Sequence, residues 1–178
     1  NHIMEIELRA SVDDLDAIRN ALATQAEHRG TSNEHDFYLR HESDRDRSLI
    51  LRIRRKENGS LLTFKGKASG DDTAWPDVDI PLTDSDSLQQ LLLGSGYVKV
   101  VEIKKRRSSY RLEDFEINID EIENLGIFIE IEGRGDEEGR AKIEEKIANL
   151  LLGLGIQNEN IIRKGYVTLM LELEQSLT

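Results

Sequence analysis

Six short stretches of this chain alternate charged and aliphatic side chains at period two, and no other feature restricts the fold as much. In "MEIELRA", Glu5, Glu7 and Arg9 share one parity while Ile6 and Leu8 take the other. "LILRIRR" sets Arg52 and Arg54 against Leu51 and Ile53, and "LLTFKGK" sets Thr63, Lys65 and Lys67 against Leu62 and Phe64. "PDVDI" opposes Asp77 and Asp79 to Val78 and Ile80; "FEINIDE" opposes Glu116, Asn118 and Asp120 to Ile117 and Ile119. "IFIEIE" opposes Glu130 and Glu132 to Ile129 and Ile131. Successive strand side chains point to opposite faces, so each stretch reads as a strand with one apolar and one ionic face. "VVEIKKRR" departs from the rule: Val101, Ile103, Lys105 and Arg107 share a parity, which predicts either a bulge or a strand that passes from core to site along its length.

Two arrangements satisfy such strands. In one, the apolar face packs on helices and the ionic face is solvated, with cross-strand pairs of Glu and Arg. In the other, the sheet curls on itself and the charges line its lumen. The choice of residues favours the second: whole strands offer only carboxylates and others only cations, where a merely solvated face carries Thr, Ser, Lys and Gln in mixture. Cations at Arg9, Arg52, Arg54, Lys65, Lys67, Lys105 and Arg107 suit a polyanion, since guanidinium matches phosphate bidentately. Carboxylates at Glu5, Glu7, Asp120, Glu130 and Glu132 suit a hard divalent ion. For any single pair, such as Glu7 with Arg9, an interstrand salt bridge remains the competing explanation.

Composition excludes several classes. With 24 Lys and Arg against 35 Asp and Glu, and a net charge of −11, the chain is no generic binder of nucleic acid or anionic membrane. It has no Cys, so there is neither a disulfide framework nor a thiolate site, as a reducing cytoplasm would permit. No apolar run is long enough to span a bilayer, so a soluble, cytoplasmic protein is expected. Its 178 residues fit one domain, taken as residues 4–178 with residues 1–3 read as a vector remnant ahead of Met4. Helical spacing predicts helices over residues 12–26, 84–94 and 136–152, the first two opened by Ser11 with Asp14 and by Thr83 with Asp86. "GYVTLMLELEQ" fits a short helix or a strand. His2, His28, His35 and His41 lack ligand-like spacing, and "HESDRDRS" reads as a solvated hairpin loop.

The blocks "EIELR", "LRIR", "TFKGK", "EIKKRRSSY", "INIDEIENLGIFIEIE" and "GYVTLM", in this order, resemble the CYTH family of triphosphate tunnel metalloenzymes. That family includes class IV adenylyl cyclases, thiamine triphosphatases and inorganic triphosphatases. The resemblance implies an α+β fold: a closed antiparallel eight-stranded β-tunnel with a charged lumen and helices packed outside. It implies Glu5, Glu7 and Glu130 as metal ligands for Mg2+ or Mn2+, with Asp120 and Glu132 as companions. Arg52, Lys65, Lys105 and Arg107 would grip the triphosphate, joined by Arg9 and by Arg54, and Arg9, Lys65 and Arg107 would serve the chemistry. Arg9 stands where the family usually has Lys, which keeps the cation but removes a group able to exchange a proton. Further departures are Lys67 after Gly66, and Ala74 and Trp75 ahead of the acidic pair Asp77 and Asp79. The expected function is a metal-dependent enzyme that converts ATP to cyclic AMP and pyrophosphate; the alternatives are a triphosphatase acting on tripolyphosphate or thiamine triphosphate, and a non-catalytic binder of polyphosphate or nucleotide. A homodimer is compatible with this reading.

Overall fold

The computed structural model describes residues 2–66, 74–76 and 78–178, with side chains left out for residues 74–76. Lys67 and Asp77 lie outside the described residues. The chain is α+β and its sheet is antiparallel throughout. Its strands are β1 (Met4–Ser11), β2 (Glu27–His41), β3 (Leu49–Lys56), β4 (Gly59–Gly66), β5 (Ala74–Pro76), β6 (Val78–Leu82), β7 (Tyr97–Leu112), β8 (Phe115–Ile122), β9 (Gly126–Gly135) and β10 (Ile161–Ile162). The helices are α1 (Leu15–Gln25), α2 (Ser85–Leu93), α3 (Arg140–Gly153) and α4 (Tyr166–Ser176). None of them is long and apolar enough to cross a membrane.

Pairing runs β10-β1-β9-β8-β7-β2-β3-β4-β6, with β5 attached to β1. This corrects the eight-stranded closed ring expected from the sequence: among the described residues there are ten strands, and the ladder does not close. The reason lies in residues 74–82. Their first part pairs with β1, matching Glu5 to Trp75, and their second part pairs with β4, matching Thr63 to Asp79. Pro76 and Pro81 lack N–H donors, so neither short strand can continue a full ladder.

The aliphatic parity packs outward as the alternation requires. Leu8, Ala10, Ile117, Ile119, Ile129 and Ile131 meet Ile18 and Leu22 of α1 and Ile147 and Leu151 of α3. Phe37, Leu39, Leu51, Ile53 and Leu62 meet Leu88 and Leu92 of α2. Helix starts differ in detail from expectation. Asp14 caps α1 by accepting from the Ala17 N–H at 3.1 Å, and Asp84 caps α2 by accepting from the Ser87 N–H at 3.0 Å. Ser11 is drawn into β1 opposite Phe128, because strand pairing claims it before the helix begins.

The ambiguous C-terminal segment is helix α4, and it packs on the opposite, ionic side of the sheet. There the inner parity turns apolar at one end. Tyr38, Val101, Ile103, Ile122 and Phe128 enclose Tyr166 and Met170. This accounts for "VVEIKKRR". The register from Val101 to Arg107 is unbroken, so one face of β7 runs from apolar contacts under α4 to cations beyond it; the irregularity in pairing with β2 falls between Tyr38 and Leu39.

Candidate functional site

Both faces of β1 are buried, which no solvated sheet would show: Ile6 and Leu8 are 0% and 2% exposed, Glu7 and Arg9 5% and 3%. Inner-face side chains of β1, β3, β4, β7 and β9 line a single cavity of about 660 Å³. Among the predicted residues it brings together Glu5, Glu7, Glu130 and Glu132 with Arg9, Arg52, Arg54, Lys65, Lys105 and Arg107. Asp120 is not in the lining. It is fully buried behind the wall, where the Arg107 Nε and Nη2 each donate to its carboxylate at 2.7 Å and the Tyr166 hydroxyl donates at 2.9 Å.

Two neighbouring groups of charge emerge. On β1 and β9, Arg9 donates to Glu7 and, at 2.6 Å, to Glu130, which also accepts from Arg107 at 2.9 Å. Burial and the nearby Glu130 charge push Glu7 up to about 8, while Glu130, despite burial, is held well below the usual carboxylate range by Arg9 and Arg107. The asymmetry follows from partners: Glu130 accepts from two guanidinium groups and Glu7 from one. Burial and the charges of Glu5 and Glu7 push Glu132 up to about 9, with Glu116 adding to the crowding. Burial and the neighbouring Arg52 push Lys65 down to about 7.

On β2, β3 and β7 the balance is reversed. Asp36, fully buried, accepts from the Arg54 Nε at 2.7 Å and Nη2 at 2.8 Å and lies 3.5 Å from Lys105. Glu34 lies 3.1 Å from Arg54 and 3.4 Å from Lys56. Burial opposes ionisation of Glu34, but the charges of Arg107 and Arg54 overcome it and hold the carboxyl at about 2. Arg52 donates to Thr63 at 3.1 Å, yet its Nε is buried with no hydrogen-bond partner, and so is the Nε of Arg9. Orphaned guanidinium donors inside a cavity are costly unless an anion completes them.

The sequence reading missed Glu34, Asp36 and Tyr38 on the inner side of β2, and it had no role for Tyr166. The signal was short: Glu34, Asp36 and Tyr38 share a parity opposite Phe37 and Leu39, but the preceding polar residues hide it. Arg47, from the charge run "HESDRDRS", also reaches the cavity wall. A shallower hollow of about 550 Å³ on the outside of β2, β7 and β8 mixes Arg55, Lys104 and Arg106 with Glu121 and Glu123.

The CYTH domain matches residues 4–166. The chain belongs to the CYTH family. A protein named adenylate cyclase from Aeromonas hydrophila is 28% identical to this CYTH chain, over 98% of this chain and 91% of that one. A solved structure from Pyrococcus horikoshii is 28% identical, covers 95% of this chain with 99% of its own, and superposes with a TM-score of 0.83. A Hippeastrum protein, described as a candidate adenylyl cyclase with a dominant triphosphatase activity, shares the fold at 19% identity with a TM-score of 0.62, over 92% of this chain and 91% of that one.

Among the described residues, no three carboxylates or imidazoles are drawn tightly enough together to form a ready coordination group. What the cavity does hold is an all-oxygen set, Glu5, Glu7 and Glu132, in which burial raises both Glu7 and Glu132, helped by the Glu130 charge at Glu7 and by the Glu5 and Glu7 charges at Glu132. Hard carboxylate oxygens of this kind are donors of the type that Mg2+ or Mn2+ takes.

Proposed function

We propose that this CYTH protein is a divalent-metal-dependent enzyme acting on triphosphates, of adenylyl cyclase type, converting ATP to cyclic AMP and pyrophosphate. The observation that carries the reading is the convergence of Arg52, Arg54, Lys65, Lys105 and Arg107 on one cavity with Glu5, Glu7 and Glu132. The cations would bind the polyanion and the carboxylates would hold the ion. Strands β5 and β6, which pair with β1 and β4 respectively, would complete the wall of a tunnel around the substrate. Their tunnel-like closure belongs to this reading.

Phosphoryl chemistry asks little covalent work of the protein, so positioning and charge stabilisation dominate. Arg52 and Arg107 would contact the phosphates through the N–H groups not already engaged, and Asp120 and Asp36 would hold Arg107 and Arg54 in place for this. A bound divalent ion would neutralise charge on phosphate oxygens as the bond breaks. In the cyclase, the 3′-oxygen of ribose bonds to the α-phosphorus, the bond to the bridging oxygen breaks and pyrophosphate leaves. The hydroxyl proton needs an acceptor. Lys65, pushed down to about 7, has the right basicity, whereas Arg9 is held above the ordinary arginine value by Glu130 and Glu7 against the opposing effect of burial.

A specific feature favours the second reading, triphosphate hydrolysis. Among the described residues the cavity wall is mainly ionic, with Tyr38, Ile50, Leu61, Tyr166 and Val167 as the larger side chains able to meet a nucleoside, and a tripolyphosphate needs no such contacts. Incubation with ATP, and separately with tripolyphosphate, in Mg2+ or Mn2+ separates the two. Cyclic AMP with pyrophosphate supports the cyclase, orthophosphate from tripolyphosphate supports the hydrolase, and absence of turnover in both overturns the enzyme.

A further inference from the structure

Arg9 ties two carboxylates of the cavity to the start of the C-terminal helix. Its guanidinium bridges Glu7 and Glu130, its Nη1 donates to the Lys164 carbonyl at 3.0 Å, and it lies 4.7 Å from the Tyr166 ring centroid. The residue is 3% exposed. The chain therefore already supplies a positive charge between Glu7, which the reading above assigns to a divalent ion, and the neighbouring carboxylate of Glu130. An ion placed against Glu7 and Glu130 would face that guanidinium at contact distance, without intervening solvent to screen the repulsion. It can enter only as Arg9 leaves.

A displaced guanidinium needs another anion, because an unpaired buried charge is strongly disfavoured. The polyanion is the available one. The Arg9 Nε is buried and lacks a hydrogen-bond partner, so it can donate to a phosphate oxygen without giving up a bond. We propose that Arg9 is an internal counter-ion that makes divalent-ion binding and triphosphate binding conditional on one another: the ion takes over Glu7 and Glu130, and the triphosphate takes over the guanidinium. Such coupling is reciprocal, each ligand tightening the other by the same factor. It would keep the acidic group closed to free cations and open to a cation arriving with triphosphate. The proposal rests on the metal and triphosphate reading of the cavity and adds the residue that links the two.

The test is a titration of the intact protein with Mn2+, followed by electron paramagnetic resonance. It is run with and without a tripolyphosphate analogue whose bridging oxygens are methylene groups, with correction for ion bound by the free analogue. Wild-type protein should bind free Mn2+ weakly and gain about tenfold or more in affinity when the analogue is present, a coupling of about 1.4 kcal/mol. In R9M, free Mn2+ should bind about tenfold more tightly than in wild type, and the gain from the analogue should shrink accordingly. R9K keeps a charge with fewer donors and should fall between them, which preserves the test if R9M does not fold by circular dichroism. Free-ion affinity that is unchanged or weaker in the folded variants overturns the role of Arg9 while leaving the metal reading intact. Wild-type protein that binds neither Mn2+ nor the analogue overturns both.

Discussion

The Tyr166 hydroxyl donates to Asp120 at 2.9 Å, tying the first residue of α4 to the carboxylate that holds Arg107. The same ring lies 4.7 Å from the Arg9 guanidinium and 4.9 Å from the Lys105 ammonium. Y166F keeps the ring and removes only the donor. A hydrogen bond to a charged group contributes about 1.5–3 kcal/mol, so chemical unfolding should show a loss in that range. Binding of a triphosphate should weaken modestly with it, because Arg107 loses part of its support. Stability equal to wild type would mean that this contact is not maintained in solution.

Asp120 itself separates two roles that the sequence could not. Among the described contacts its carboxylate accepts two bonds from Arg107 and one from Tyr166. As a positioning group its loss should cost stability and anion affinity and leave ion binding nearly untouched. D120A should destabilise the protein by about 3–5 kcal/mol, the usual cost of leaving one member of a buried pair uncompensated. D120N, which keeps shape and one acceptor, should bind Mn2+ within about threefold of wild type, since ligand loss typically costs far more. A fall of a hundredfold in D120N would return Asp120 to the metal set.

Glu7 at about 8 and Glu132 at about 9 bind protons at neutral pH that a divalent ion must expel. Affinity for Mn2+ should therefore rise as pH climbs from 6 to 9, by up to about tenfold per unit for each proton released. Calorimetry in buffers of different ionisation enthalpy would count those protons, and pH-independent affinity would refute the assignment of both residues. The metal-free protein should respond in the opposite sense. Between the unfolded value near 4.5 and the folded values near 8 and 9, the folded state binds more protons than the unfolded one, so the contribution of these two groups to stability falls as pH rises through that window. Lys65, pushed down from 10.5 to about 7, binds fewer protons when folded and opposes this trend from pH 7 to 10.5.

How much of this was legible in the sequence depends on the length of each alternating stretch. In β1, β3, β8 and β9, four or more residues alternate without interruption, and parity there separated the apolar face from the ionic one, while which of them was enclosed rested on the choice of residues. In β2 the alternation is confined to residues 34–39 after a polar run, so Glu34 and Asp36 went unseen. Nor could parity assign partners. Whether a carboxylate meets a cation or another carboxylate depends on register between strands distant in sequence, as when Glu7 lies opposite Glu132 while Arg9 lies opposite Glu130. The C-terminal helix was equally beyond it: Val167, Leu169, Leu171 and Leu173 alternate as a strand would, and only packing under Ile103 and Phe128 selects the helix.

The pair that escaped the sequence reading provides a direct measure of what holds the cationic wall together. Asp36 is 0% exposed and Arg54 is 6% exposed, and their two bonds of 2.7 and 2.8 Å tie β2 to β3. Burial opposes the Asp36 charge, but Arg54 and Lys105 overcome it and hold the carboxyl well below its ordinary value. A carboxyl depressed in this way stabilises the folded state at neutral pH and loses that contribution as the solution becomes acid. D36L should therefore cost about 3–5 kcal/mol, because Arg54 and Lys105 are left facing one another without their shared counter-charge. R54L should cost a similar amount by stranding Asp36. The double variant D36L/R54L should cost clearly less than the sum, since it removes the charge with its partner, and urea unfolding of the four proteins would give the coupling. Simple additivity would mean that the two side chains act independently in the folded protein, and a single-variant cost below about 1 kcal/mol would put the pair in the range of an exposed ion pair instead.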